Sequence, residues 1–169
     1  MKVTLTCYDL AGKKLSAKTV KDIDVPANSK LELFKAELEG LKGNYMVRLV
    51  LSDRKGNVVT VNDYMMRGEG TEDFTAFNNV GKAQIKARRL SSKSDTQRYE
   101  ITNTSGNIAL NLKFNLVNPE NGEIILPAYF SDGYFHLLPG EKRTIEVHSP
   151  SAGAIMVEGY NVDNTTLKL

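Results

Sequence analysis

Tryptophan is absent from this 169-residue chain, and cysteine occurs once, at Cys7. A single cysteine cannot close an intrachain disulfide or build a zinc knuckle or redox pair. Cys7 continues the alternation Val3, Leu5, Cys7, so it reads as a small core hydrophobe. No apolar run approaches the roughly 20 residues of a membrane-spanning helix. The opening MKVTLTCYDL also lacks the continuous apolar stretch of a signal peptide, so either the protein is cytosolic or its start has been cut away. An excess of one charge is missing too, since the net charge is +2 and acidic residues are mixed with basic ones throughout. Such a chain builds no field that would draw nucleic acid or an anionic membrane. The most basic stretch, KAQIKARRLSSK, sets Lys86 and Arg88 on one strand face and Ile85 and Ala87 on the other, the pattern of a solvated strand.

Helical periodicity is scarce as well. The exception is TEDFTAFNNVG, Thr71 to Gly81, where Thr71 is expected to cap a short helix with Phe74 and Phe77 on its inner side. What fills the chain instead is period-two alternation. In NIALNLKFNLVN, Ile108, Leu110, Leu112, Phe114 and Leu116 fall on one face, and Asn111, Lys113 and Asn115 on the other. In NYMVRLVLS, Tyr45, Val47, Leu49 and Leu51 are in phase. These two faces are expected to form the cores. Further strands are expected over Lys2–Asp9, Lys14–Val25, Lys30–Leu38, Asn57–Met66, Gln84–Leu90, Thr96–Asn103, Glu123–Ala128, Arg143–His148 and Ala154–Val162. LAGK, DRKGN, PENGE and LPGE between them carry the Gly, Asn and Pro that tight turns need. Strands at this spacing indicate all-β, antiparallel sandwiches.

An internal repeat divides the chain. YDLAGKKL around Gly12 resembles VNPENGEII around Gly122. VPANSKLEL at Pro26 resembles LPGEKRTIEV at Pro139, and GNYMVRL at Met46 resembles GAIMVEG at Met156, in the same order. The second copy has two strands, Gln84–Leu90 and Thr96–Asn103, with no counterpart in the first, whose equivalent of the Ile108 strand begins near Lys2. The expectation is therefore an incomplete sandwich over 1–70, a connector over 71–82 and a full sandwich over 83–169. The chain is then a fragment of a longer protein, or its first module borrows or forgoes two strands.

The densest chemistry lies in AYFSDGYFHLLPGEKRTIEV. Tyr129, Phe130 and Tyr134 have the faces that stack on a sugar ring, and Asp132 has the carboxylate that binds its hydroxyls. Rings in a sandwich also serve as core corners or interdomain contacts, so Tyr129, Phe130, Asp132, Tyr134, Phe135 and His136 stand as candidates for an interdomain or glycan contact. His136 and His148, without clustered acids, fall short of a metal motif. Asp53, Glu120, Glu123 and Glu141 sit in turns or on polar faces, so no glycosidase pair of carboxyls is expected, and no cofactor or metal. The sequons Asn103-Thr104-Ser105 and Asn164-Thr165-Thr166 permit N-glycosylation.

The run NTSGNIALNLKFNLVNPENGEIILPAYFSDGYFHLLPGEKRTIEV resembles the C-terminal immunoglobulin-like domain of glycoside hydrolase family 2 enzymes of the exo-β-glucosaminidase and β-mannosidase type. The matching features are the Asn-Thr-Ser strand end at Asn103–Ser105, the alternating strand, the Pro-aromatic-aromatic-Ser-Asp run at Pro127–Tyr134 and the Leu-x-Pro-Gly-Glu turn ending at Glu141. YDLAGKKL, VPANSKLELF, YMVRLVLSDRKGN and NDYMM are similar to the preceding immunoglobulin-like domain of that family. Met65 stands where the family tends to have Trp, and Gly133 where it has Asn.

The resemblance implies two tandem immunoglobulin-like sandwiches, the first lacking its N-terminal strands. They would form a noncatalytic C-terminal segment bracing the (β/α)8 barrel of a retaining β-glycosidase. The two catalytic glutamates belong to that barrel, and the parent is expected in the periplasm or outside the cell. The partners expected are the barrel and the other domains of the parent, with glycan as a further one and neither nucleic acid nor membrane. Two alternatives remain: an independent carbohydrate-binding module, and an adhesin or assembly module whose first sandwich accepts a strand.

Overall fold

The computed structural model describes residues 1–36 and 38–167. The chain divides into two compact units, Met1–Asn79 and Val80–Leu169. Among the described residues no helix is long and apolar enough to cross a membrane.

The first unit is built on one antiparallel sheet. Its strands are β1 (Lys2–Asp9), β2 (Lys14–Val20), β3 (Asn44–Ser52) and β4 (Val58–Arg67), in the order β2-β1-β3-β4. Turn chemistry sets both hairpins. The Asp9 carboxylate accepts from the amides of Ala11 and Lys13, with Gly12 at φ 81°. The Asp53 carboxylate accepts from the Asn57 amide and side chain, with Gly56 at φ 90°. Alternation then puts Leu5, Cys7, Tyr45 and Val47 on one buried face, where Phe34, Leu38 and Leu41 pack on them. In the other phase Arg48 and Asp63, opposite each other in the register, form a buried two-pronged ion pair at 2.7 and 2.9 Å.

Two expectations fail in this unit. Val20 ends β2, and no strand forms among the described residues of Lys30–Leu38; residues 21–36 and 38–41 are irregular chain that sets Phe34, Leu38 and Leu41 against the sheet. The repeat gives the reason, because this segment is the twin of a strand that in the second unit pairs with Thr96–Asn103, and the first unit has no equivalent of that partner. The expected helix cap is also different. A short 3-10 helix, Thr75–Asn79, is capped by Asp73, whose carboxylate accepts from both the amide and hydroxyl of Thr75. Thr71 instead closes a turn by donating its amide to Gly68.

The second unit has two four-stranded sheets. One contains β5 (Ile85–Lys93), β6 (Thr96–Asn103), β10 (Lys142–His148) and β8 (Tyr129–Phe130), in the order β5-β6-β10-β8. The other contains β12 (Val162–Leu167), β11 (Ala154–Gly159), β7 (Ala109–Val117) and β9 (Phe135–Leu137), in the order β12-β11-β7-β9. Apolar residues of both sheets meet in one core: Tyr99, Ile101, Ile145 and Val147 from the first, Leu112, Leu116, Ile155 and Val157 from the second. Two sheets sharing one apolar interior make a β-sandwich.

Three expectations change here. Glu123–Ala128 forms no strand beyond a single bridge between Val117 and Ile124, and the chain reaches its sheet only at Tyr129. The stretch Ala154–Val162 is two strands. At Gly159 a β-carbon would stand 2.9 Å from the Leu110 carbonyl, and Asn161 turns its amide inward to donate 2.7 Å bonds to Gly81 and Ile108. The alternation of β7 also slips. Asn111 has φ 51° at an irregularity in the β7–β9 pairing, so Ala109 joins the core with Leu112, while Ile108 and Leu110 are buried outside that cluster. A bulge of this kind shifts the phase of every residue before it.

Candidate functional site

Strands β8 and β9 are edges of opposite sheets, so residues 131–134 carry the chain from one sheet to the other. The crossover is tied at both ends. Ser131 exchanges two 2.9 Å bonds with the Glu146 backbone, and Tyr134 donates its amide to Leu112 at 2.6 Å. Tyr134 has φ 56°, a region that a bulky residue occupies only when its surroundings hold it there.

The six candidates divide by burial. Phe135 lies in the core against Phe114, with ring centroids 5.6 Å apart, and Phe130 stacks on the same ring at 6.3 Å. His136 is buried, and its Nδ1 accepts from the Asn111 amide at 3.0 Å, which puts a neutral ring's proton on Nε2. Phe135 and His136 thus lie beneath the surface of this unit. Tyr129, Asp132 and Tyr134 face solvent, Tyr134 with 73% of its surface exposed. Asp132 is paired at 2.9 Å with Arg143, whose guanidinium lies 4.2 Å from the centre of the Phe135 ring.

Residues far apart in sequence complete the surface. Tyr134 and Lys113 line two grooves. One, of about 350 Å³, also includes Phe130, Asp132 and Asn115; the other, of about 630 Å³, includes Asn111, Glu158 and Tyr160. Lys113 and Glu158 are cross-strand partners in β7 and β11 and form an ion pair. The hydrogen bond and charge of Glu158 raise the Lys113 ammonium above its ordinary range. Tyr160, 52% exposed, stands beyond that pair. The result is a ledge of two phenol rings flanking paired charges and an amide. Such a surface suits stacking and hydrogen bonding, while its carboxylates are committed to ion pairs rather than poised for proton transfer. Sequence reading missed Asn111, Lys113, Glu158 and Tyr160. Asn111 falls in phase on the polar face of the alternation, so the sequence carried no signal for the bulge.

The remaining motifs are scaffold. Asn103 is fully buried, its amide donating to the carbonyls of Leu137, Leu138 and Asn107 and its oxygen accepting from Ser105. The first sequon is therefore closed to glycosylation in the folded protein. The side chains of the second, Asn164-Thr165-Thr166, lie outside the described residues. The other histidine, His148, shares a 2.9 Å hydrogen bond with the Thr96 hydroxyl. Among the described residues no three His, Cys, Asp or Glu side chains gather as a metal site would require.

Order and pairing of the strands define the class: tandem immunoglobulin-like modules, the second a closed sandwich and the first a single sheet with the topology of one half. The chain matches the exo-β-D-glucosaminidase Ig-fold domain over residues 63–162, more than half its length, and belongs to that family. Residues 1–67 match the mannosidase Ig/CBM-like domain. Among curated relatives, the exo-β-D-glucosaminidases of Hypocrea virens and Hypocrea jecorina are 29% and 28% identical across 99% of this chain. The chain spans 22% of the length of each. The crystal structure of exo-chitosanase CsxA of Amycolatopsis orientalis has the same fold, with a TM-score of 0.71 at 20% identity over 99% of this chain and 23% of that one. The chain thus corresponds to an immunoglobulin-like accessory part of much larger enzymes.

Proposed function

We propose that this chain is the noncatalytic C-terminal segment of a retaining β-glycosidase of the exo-β-glucosaminidase or β-mannosidase type, and that it braces the catalytic barrel through the crossover at 129–134. The observation that carries this reading is the ledge. Tyr134, in the crossover, and Tyr160, in the turn between β11 and β12, are exposed beside a groove, and their amides donate to the Leu112 and Leu110 carbonyls. Exposed rings on a rigid frame are typical of surfaces that meet another body. Asp132 and Glu158 are each held by a cation, which argues against proton transfer here.

The test compares the isolated chain with the parent enzyme on aryl β-glucosaminide and β-mannoside. The isolated chain is expected to hydrolyse neither. In the parent, Tyr134→Ala combined with Tyr160→Ala is expected to lower the melting temperature of the barrel while leaving kcat within about twofold. Hydrolysis by the isolated chain, or no change in the parent's melting, overturns the reading. A second reading, direct glycan binding by the isolated chain, is favoured by two exposed rings, Tyr134 and Tyr160, lining one groove with Lys113 and Glu158. It predicts glycan-array binding that Tyr134→Ala abolishes without unfolding the chain.

A further inference from the structure

We propose that His136 is the positioning residue of the ledge and makes it sensitive to pH: its neutral ring holds Tyr134 and Tyr160 in place, and a proton on Nδ1 releases them. Every group involved lies within the second unit, whose two sheets close on one core.

The bulge puts His136 where a strand carbonyl would ordinarily stand. In the β7–β9 register Ala109 lies opposite Leu137 and Leu112 opposite Phe135, so Leu110 and Asn111 together face His136 alone. Two residues against one disrupt the ladder and leave an amide in need of another partner. Here the Asn111 amide, on a residue with φ 51°, donates to the imidazole Nδ1 at 3.0 Å. With the ring 7% exposed, that nitrogen has little access to water.

The same turn of β7 carries both rings of the ledge. The Leu110 carbonyl belongs to the peptide unit whose N–H binds His136, and it accepts from the Tyr160 amide at 2.9 Å. Two residues on, the Leu112 carbonyl accepts from the Tyr134 amide at 2.6 Å. A peptide unit is planar, so its carbonyl and its N–H turn together. The bond to His136 therefore fixes the carbonyl that anchors Tyr160, and the conformation of Asn111 relates it to the one that anchors Tyr134.

Protonation reverses the contact. An imidazolium carries a proton on each nitrogen and accepts at neither. One N–H then opposes another across 3.0 Å, so the peptide turns and draws the Leu110 carbonyl away from Tyr160. The ionisable groups on the elements flanking β9 are Lys113 of β7, paired with Glu158 of β11, Asp132 and Tyr134 of the crossover, Arg143 of β10, which holds Asp132, and Tyr160. Glu141 follows in the next turn, its carboxylate accepting from the Leu138 amide. Carboxyls ordinarily titrate near about 4, and phenols, ammonium groups and guanidinium at about 10 or above, whereas imidazole titrates at about 6.5. The other histidine, His148, bonds the Thr96 hydroxyl of β6.

Because this regulation acts on the surface proposed above as a brace, it is read on the ledge's own geometry, and its failure leaves the parent's melting test standing. Ring-nitrogen NMR of the 169-residue chain follows His136 from pH 7.5 to pH 5. Amide exchange, corrected for its intrinsic pH dependence, is followed at Asn111, Tyr134 and Tyr160. The expected result is a neutral ring protonated at Nε2 at pH 7.5, then protection at the three amides falling at least about tenfold as the ring gains its second proton, with Ile145 still protected. His136→Gln, whose side-chain oxygen can accept from the Asn111 amide, is expected to keep the protection and lose its pH dependence. A ring that stays neutral to pH 5, a proton taken up with the three amides unchanged, or a fall that includes Ile145 overturns the proposal on the unaltered chain. The same fall in His136→Gln overturns it too.

Discussion

The sheet of the first unit and one sheet of the second carry the same order of strands, yet among the described residues fifteen buried side chains make the core cluster of the second unit and four that of the first. The difference lies in what each strand finds to pair with. TIEV of β10 becomes a central strand because β6 and β8 flank it, and its apolar residues close the core. KLEL of the first unit has similar alternation and the same preceding turn but no neighbour, so its leucines stay at least partly in water. β-propensity describes fitness for a pleated, half-buried surface, and without that surface it does not act.

The contrast can be broken at several points. The largest loss is expected in the first unit from Asp63→Ala, which leaves the buried Arg48 guanidinium without its two-pronged partner at a cost of about 3–5 kcal/mol. With so small a core, that loss should unfold the first unit while the second keeps its own urea transition. Next is the pair that compares twins directly. Ile145→Ala should destabilise the second unit by about 2–5 kcal/mol, and Leu31→Ala should change the first by no more than about 0.5 kcal/mol, both read from urea midpoints. Equal costs would mean that Leu31 is packed as its twin is. Asn103→Ala should cost the second unit about 1–3 kcal/mol, because the carbonyls of Leu137, Leu138 and Asn107 each lose a donor. In a glycosylating host, mass spectrometry should find Asn103 unmodified.

The smallest effect is one of pH. Hydrogen bonds from Asn57 to Asp53, and from Thr75 to Asp73, hold these carboxyls below the ordinary 3.8. Their contribution to the first unit is complete above that value and fades as pH falls through the lower folded values. Asp53→Asn combined with Asp73→Asn should flatten the acid limb of the first unit's stability curve and leave that of the second unaltered.

Much of this was legible from period and turn chemistry. β1 and β6 occupy the expected ranges, and Gly12, Gly56 and Gly122 take the positive φ their turns require. Three of the failures share a cause, since each depends on a partner distant in sequence. Lys30–Leu38 lacks one, Ala154–Val162 is divided by the approach of Leu110 and the inward turn of Asn161, and β7 changes phase where Asn111 binds His136. The aromatic loop was found, but which of its rings faces water was not, because the crossover between sheets ends alternation at Ser131. Tyr160, Lys113 and Glu158 reach the ledge only through the β7–β11 pairing and the turn that follows it.

The most direct test of the account is amide hydrogen exchange on the intact chain, comparing residues 144–148 with their twins at 30–34. The account predicts slow exchange in the former, near that of global opening of the second unit, and nearly unprotected exchange in the latter. Comparable protection in both segments would contradict the claim that Leu31 and Leu33 lack the strand pairing that buries Ile145 and Val147.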